Sequence, residues 1–195
     1  MKSEYVSSAC IWAAIIGSIG FIFLLLEIIR LHVKWGSTLV VKIREIKMPN
    51  DRAVNKKHPI TGRCLCERIK FKSFSKPKWI SVCHCRRCQR AYGNTSAIFV
   101  AFEKGDLEFI SGAPKFYHSS NIAKRGFCSE CGSPILFSYE TLDAVFVGNL
   151  DDPEYWQPNG CHLGIESQVS WERIFDDLPR YRTEEDPTFI EANSK

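Results

Sequence analysis

Three cysteines, Cys83, Cys85 and Cys88, fall within the stretch CHCRRC, interleaved with His84 and two arginines. Thiolates at this spacing act as metal ligands or as nucleophiles, and cationic neighbours favour the ionised form in either role. Four more cysteines form a CxC pair, Cys64 and Cys66, and a CxxC pair, Cys128 and Cys131, while Cys10 and Cys161 stand alone. A bridge between cysteines one residue apart is strained, because their α-carbons and side-chain directions fit a disulfide poorly. The tight groups therefore read as metal ligands, zinc above all, with a disulfide framework as the alternative.

On an extended strand alternate residues share a face, so Cys64 and Cys66 can reach one ion. In FCSECGSP, Cys128 and Cys131 form a knuckle with Gly132 available for a tight turn. These four thiolates make the closed tetrahedral set of a structural zinc. Cys83, Cys85 and Cys88 then remain as three ligands with an open fourth position, the pattern of a catalytic zinc, so two zinc ions per chain are expected. Zinc among three thiolates is net negative and a weak Lewis acid toward water. It favours a further soft ligand, such as an incoming thiol bound as thiolate.

Arg86, Arg87 and Arg90 are candidate substrate-binding residues, offsetting that negative charge or holding the carboxylates of a thiol such as glutathione; a solvated loop face is the alternative for each. His84 as a fourth ligand is the competing arrangement, disfavoured because on an extended segment it alternates with Cys83 and Cys85. His162, in NGCHLGIES, is the candidate catalytic proton carrier, with Tyr92 behind it; His118 is another histidine considered for proton transfer or substrate contact. A hydrogen-bonded structural role is the alternative for either histidine.

The elements that must position these residues are mostly strands. From residue 60 onward, RIKFKS, KWISV, SAIFVAF, LEFI, KFYHS, PILFSY and AVFVGNL recur between turn signals such as EKGD, ISGAP and CGSP. Long amphipathic helical periods are scarce, so a mainly β domain is predicted over 59–185, with short helical turns near Asn94 and toward the C-terminus. Ahead of it, Ala9–Leu26 is a run of eighteen residues without a charge. As a helix it spans about 27 Å, close to a bilayer core. The predicted organisation is a membrane anchor over 1–35, a basic linker over 36–58, the β domain, and a tail over 186–195. A cleaved signal peptide and a buried soluble helix are the competing readings of the apolar run.

Residues 1–59 carry nine Lys+Arg against four Asp+Glu, and the remainder is close to neutral. Eight of those nine cations follow the apolar run, so the positive-inside rule places the C-terminal domain in the cytosol or another reducing compartment. Reduced thiols are available to metal there. The near-neutral domain lacks the basic footprint of a nucleic-acid binder, and no nucleic-acid partner is expected. Met48 reads as an ordinary linker residue, with a start for a soluble form as the alternative.

In order along the chain, GRCLC with IKF, CHCRRCQRAYG, FCSECGSPILF, VFVGNLDDP and HLGIESQVSWERIFDDLPRY resemble the motifs of the glutathione-dependent formaldehyde-activating enzyme family, which also includes centromere protein V. The resemblance covers about Gly62 to Tyr181. It implies a single zinc-stabilised β domain of that type, a structural zinc on Cys64, Cys66, Cys128 and Cys131, and a second zinc on Cys83, Cys85 and Cys88. It also implies carbon–sulfur lyase activity on glutathione adducts such as S-(hydroxymethyl)glutathione. One departure is Glu67, which stands where the family motif usually continues with glycine after its second cysteine. The anchor is not part of the family domain. A non-enzymatic zinc scaffold and a membrane-tethered thiol or redox sensor are the alternative functions.

Overall fold

The computed structural model describes residues 51–186. The anchor read over Ala9–Leu26, Met48, and the tail from residue 187 lie outside them. Among the described residues no helix is long and apolar enough to cross a membrane.

Short alternating segments pair into two sheets. β1 (Ile60–Arg63), β2 (Lys70–Ser73) and β5 (Leu107–Ser111) form a three-stranded sheet in the order β1-β2-β5. The larger sheet is built from β3 (Trp79–Cys83), β4 (Ala97–Glu103), β6 (Lys115–His118), β7 (Lys124–Phe127), β8 (Pro134–Ser138) and β9 (Leu142–Phe146). Two-residue strands β10 (His162–Leu163) and β11 (Arg180–Tyr181) complete its order, β11-β10-β3-β4-β9-β8-β7-β6. Its pairings are antiparallel except that β10 runs parallel to both β3 and β11. A single α-helix among the described residues, α1 (Arg86–Tyr92), leaves the end of β3.

Alternation splits the central strands between two cores. Ile80, Val100, Phe102 and Val145 pack on one face with Ile60 and Phe71 of the small sheet. Cys83, Ala97, Phe99, Ala101, Ala144 and Phe146 occupy the other. Phe71 is fully buried, and its ring stands where a side chain on Gly62 would begin, 2.3 Å from an added Cβ. The glycine of GRCLC is thus needed for the ring beneath it.

The stretch assigned to the linker is packed in its last residues. Val54 joins the first core, Arg52 pairs with Asp152 and stacks over Tyr155, and Asn55 bridges His58. These contacts extend the ordered domain upstream of residue 59.

Candidate active site and metal centre

Cys64 and Cys66 lie between β1 and β2, and Cys128 and Cys131 between β7 and β8, so one cluster draws on both sheets. The four sulfurs lie within 4.8 Å of one another, with Cys64–Cys66 at 3.5 Å and Cys66–Cys128 at 3.7 Å. Sulfurs at the corners of a tetrahedron around zinc at about 2.3 Å stand about 3.8 Å apart, so the donor set fits the ion by number, type and spacing. The loops are shaped for it. Ile69 N–H donates to Cys64 Sγ at 3.3 Å, and Gly132, at φ 74°, donates to the Cys128 carbonyl at 2.9 Å. Hydrogen bonds from the Ser133 side chain and backbone draw the Cys131 thiol down to about 5.

Glu67 retains the turn that glycine would make easily. Its φ is +60° and its N–H donates to the Cys64 carbonyl at 3.0 Å. A left-handed conformation costs a residue with a side chain about 1–2 kcal/mol, while Arg63 and Lys70 flank the carboxylate at 3.2 and 3.3 Å. The substitution leaves the ligand geometry in place.

The second cluster is assembled by a strand end and a helix start. Cys83 closes β3, Cys88 lies on α1, and Cys85 is the helix cap, its sulfur accepting from the Cys88 N–H at 3.4 Å. All three are buried and their sulfurs lie within 4.8 Å of one another. Gln89 clamps this corner from beneath, donating to the carbonyls of His84 at 2.7 Å and Ser167 at 2.8 Å. Gly164, at φ 66°, passes so close that an added Cβ would lie 2.7 Å from the Cys85 backbone nitrogen. Hydrogen bonds from Cys83 and then Cys88 draw the Cys85 thiol down to about 2, while Cys83 is pushed up by Cys85 and Cys88. Three thiols in such proximity cannot all ionise on their own. A dication reconciles them, which is the chemistry expected of a metal-binding donor set.

These cysteines open onto a cavity of about 660 Å³ on the second face of the large sheet, lined also by Trp79, Phe99, Phe137, Leu163, Arg87 and Arg125. Arg125, on β7, had no motif to mark it in the sequence. Its guanidinium is 3.9 Å from Cys88 Sγ, donates to the Tyr92 hydroxyl, and lies over the rings of Tyr92 and Phe137 at 5.0 and 4.9 Å. Burial opposes its charge, but the Tyr92 oxygen and the Cys88 sulfur hold its pKa above the ordinary value. Burial raises the Tyr92 phenol in turn.

The candidate arginines of CHCRRCQR separate. Arg87 lines the cavity, whereas Arg86 bonds to Gln89 and Arg90 lies exposed in the last turn of α1, both outside the lining. Cys161 also faces the cavity, 3.7 Å from Ser81 Oγ. His118 ends the exposed strand β6, away from the lining.

His162 is not on the cavity face. Its neighbours Cys161 and Leu163 line the cavity, and strand alternation turns His162 to the other side. There its Nδ1 meets His84 Nε2 at 2.9 Å and its Nε2 meets Asp176 at 3.1 Å. His84 Nδ1 faces Glu172 Oε2 at 3.4 Å. With Asp176 accepting from His162 Nε2–H, His162 Nδ1 accepts from His84 Nε2–H. A file His84–His162–Asp176 results, its imidazoles buried and its carboxylate exposed, which ties the segment after β10 to the metal-binding corner. This placement leaves His162 off the cavity lining, with contacts that suit a positioning residue rather than a proton carrier beside the three cysteines. It also turns His84 away from the three sulfurs. His162→Ala is expected to lower stability by roughly 2 kcal/mol through the orphaned partners, read by urea denaturation, while thiol chemistry falls by about 10–100-fold, as for loss of an outer-shell partner. A loss of all activity in a fully folded variant would restore the proton-carrier role.

The model of the glutathione-dependent formaldehyde-activating enzyme family matches residues 59–164, which include all seven clustered cysteines. A protein of Schizosaccharomyces pombe (strain 972 / ATCC 24843), described as an uncharacterized lyase, is 32% identical over 78 residues. The match covers 40% of this chain and 56% of that protein, so it spans little more than half the relative's length. Among solved structures, the crystal structure of a Rhodobacter sphaeroides protein, a structural genomics target, aligns with a TM-score of 0.38 at 17% identity, covering 62% of this chain and 98% of that one.

Proposed function

Because this chain belongs to the glutathione-dependent formaldehyde-activating enzyme family, we propose that it is a zinc-dependent carbon–sulfur lyase that makes or breaks the bond between a glutathione-type thiol and an electrophilic carbon. The observation that carries this reading is the contrast between the clusters. Four sulfurs close on themselves between the sheets, whereas three converge beside a large cavity with a cation, Arg125, next to them. A purely structural site has no use for that opening.

Zinc held by Cys83, Cys85 and Cys88 would supply a soft electrophilic centre that keeps the substrate's sulfur ionised at neutral pH. The protein's own groups do the rest. Arg125 offsets the negative charge of the three thiolates and offers N–H donors where the carbon-bound oxygen gains charge as sulfur attacks. Arg87 is available to a substrate carboxylate at the cavity wall. The aromatic rings of the lining lower the local polarity, which strengthens both interactions. In the cleavage direction the carbon–sulfur electron pair returns to sulfur, the carbonyl forms as the hydroxyl loses its proton, and that proton ends on the sulfur released as thiol.

Full-length protein loaded with zinc is expected to hold two ions per chain. Titration with glutathione, followed by X-ray absorption at the zinc edge, is expected to raise the average sulfur count per zinc from about three and a half toward about four, the mean of one closed site and one completed site. A spectrum unmoved by saturating glutathione would favour a non-enzymatic zinc scaffold.

A further inference from the structure

The cavity is built for more than a one-carbon group. Across β3, β4, β9 and β8, one register row of the large sheet reads Trp79, Ala101, Ala144, Phe137. The strands carrying Trp79 and Phe137 are three spacings, about 14 Å, apart. Between them the sheet presents only two methyl groups. The adjacent row toward the cysteines holds Ser81, Phe99 and Phe146, and the row after it holds Cys83 and Ala97. Trp79, Phe99 and Phe137 line the cavity together with the three cysteines.

Large residues flanking small ones make a trough, and its walls are rings. From Cys83 to Trp79 it runs four residues along β3, about 13 Å. A hydroxymethyl group on a sulfur held at Cys83 ends near the start of this trough and touches none of its far wall. The tripeptide part of glutathione is a poor tenant, since it carries two carboxylates and an ammonium. Along β3 and β4 the strip from Phe99 to Trp79 is walled by rings and the Ala101 methyl, and burying these charges against it unpaired is costly. The carboxylates find their partners in Arg87 and in Arg125, which stands beside Cys88 and over the edge of the trough at Phe137, and the ammonium finds acceptors in Glu185 and Asp186 of the lining.

Resting on the lyase reading above, we propose that the carbon joined to sulfur bears a fused-ring aromatic group. The substrate class is then the hemithioacetals formed between a glutathione-type thiol and aromatic aldehydes, with the aryl group over the alanine row between Trp79 and Phe137. Flat rings bury large apolar area and stack offset or edge-on against aromatic walls. Two fused rings beyond the sulfur-bearing carbon reach past Phe99 toward Trp79. The reaction is redox-neutral. Sulfur attacks the aldehyde carbon, the carbonyl π pair moves to oxygen, and oxygen takes the proton lost by the thiol; cleavage reverses each transfer.

The test separates this assignment from the lyase reading by using two stable thioethers as binding probes. Zinc-loaded full-length protein is titrated calorimetrically with S-methylglutathione and with S-(2-naphthylmethyl)glutathione. The naphthyl ligand is expected to bind at least about tenfold more tightly, and Trp79→Ala or Phe137→Ala to reduce that preference to under about threefold, with zinc content and far-ultraviolet circular dichroism unchanged. Equal affinity of the two thioethers for the unaltered protein overturns the aromatic assignment. Rates with formaldehyde and with 2-naphthaldehyde, each with glutathione, form the second arm, and the larger aldehyde is expected to be favoured. Tight naphthyl binding without acceleration of either aldehyde brings down the lyase reading and leaves the aromatic site standing. Acceleration of formaldehyde with equal thioether affinities does the reverse.

Discussion

Cys64→Ser and Cys131→Ser are each expected to leave the protein without a cooperative unfolding transition. The four-cysteine cluster joins the β1–β2 turn of the small sheet to the β7–β8 turn of the large one, and Cys64 and Cys128 are themselves part of the core those sheets share. Structural zinc contributes about 10–16 kcal/mol of apparent binding free energy, which is folding free energy when the site forms only in the native state. A domain's entire stability is about 5–15 kcal/mol. Removing one of four ligands therefore places the balance near or below zero. Far-ultraviolet circular dichroism on heating, and the same measurement on unaltered protein after exhaustive chelation, should give matching non-cooperative curves. A variant that melts cooperatively within a few degrees of the parent would show that the two sheets cohere through their apolar contact alone.

Cys85→Ser should have the opposite signature: an intact fold and no catalysis. Cys85 caps α1 through its sulfur, and serine is among the best residues at that position, so the helix start survives the exchange. The metal site does not survive it. Loss of an outer-shell partner already costs about 10–100-fold in metal affinity or activity, and loss of one of three direct ligands should exceed that. The expected results are a fall from two zinc ions to one per chain, an unchanged thermal midpoint within a few degrees, and kcat/KM lower by on the order of 10³-fold. The assay follows glutathione-dependent consumption of an aldehyde against the uncatalysed rate. A fully zinc-loaded Cys85→Ser protein as active as its parent would mean that this cluster is not where the chemistry occurs.

The two variants also distinguish the roles of similar donor sets. Both clusters are cysteine-only and compact, yet one holds the sheets together and the other faces 660 Å³ of cavity. The difference lies in what surrounds the sulfurs. Backbone N–H groups and Ser133 surround the first, while Arg125 and aromatic walls surround the second.

Much of this was legible in the sequence because it is local. Strand segments such as KWISV and SAIFVAF carry their own β-branched and aromatic signal, and they fold as β3 and β4. The division of seven cysteines into four and three rests on spacing together with the family motifs, since CxC and CxxC limit which neighbouring sulfurs can meet but not which remote pairs do. The structure brings together the same two groups. The resemblance to the family likewise rests on short contiguous motifs. The sequence also marked Glu67 as a departure, and the backbone shows its meaning, a left-handed turn that a side chain can occupy at a cost.

What only the tertiary structure decided depends on which faces of distant strands meet. KRGF has little strand signal by itself, yet it becomes β7 because β6 and β8 pair on either side of it, and that pairing carries Arg125 to Cys88. His162 looked available for proton transfer, but the parallel pairing of two-residue β10 with β3 sets its parity and turns it to His84 and Asp176. The alanine row between Trp79 and Phe137 exists only in the register of four strands, no two of whose row residues are closer than seven positions along the chain. Spacing determines which atoms along one segment can share a ligand. The direction a side chain takes into a shared space is decided by hydrogen-bond register between segments remote in sequence, because a shift of one residue reverses every face.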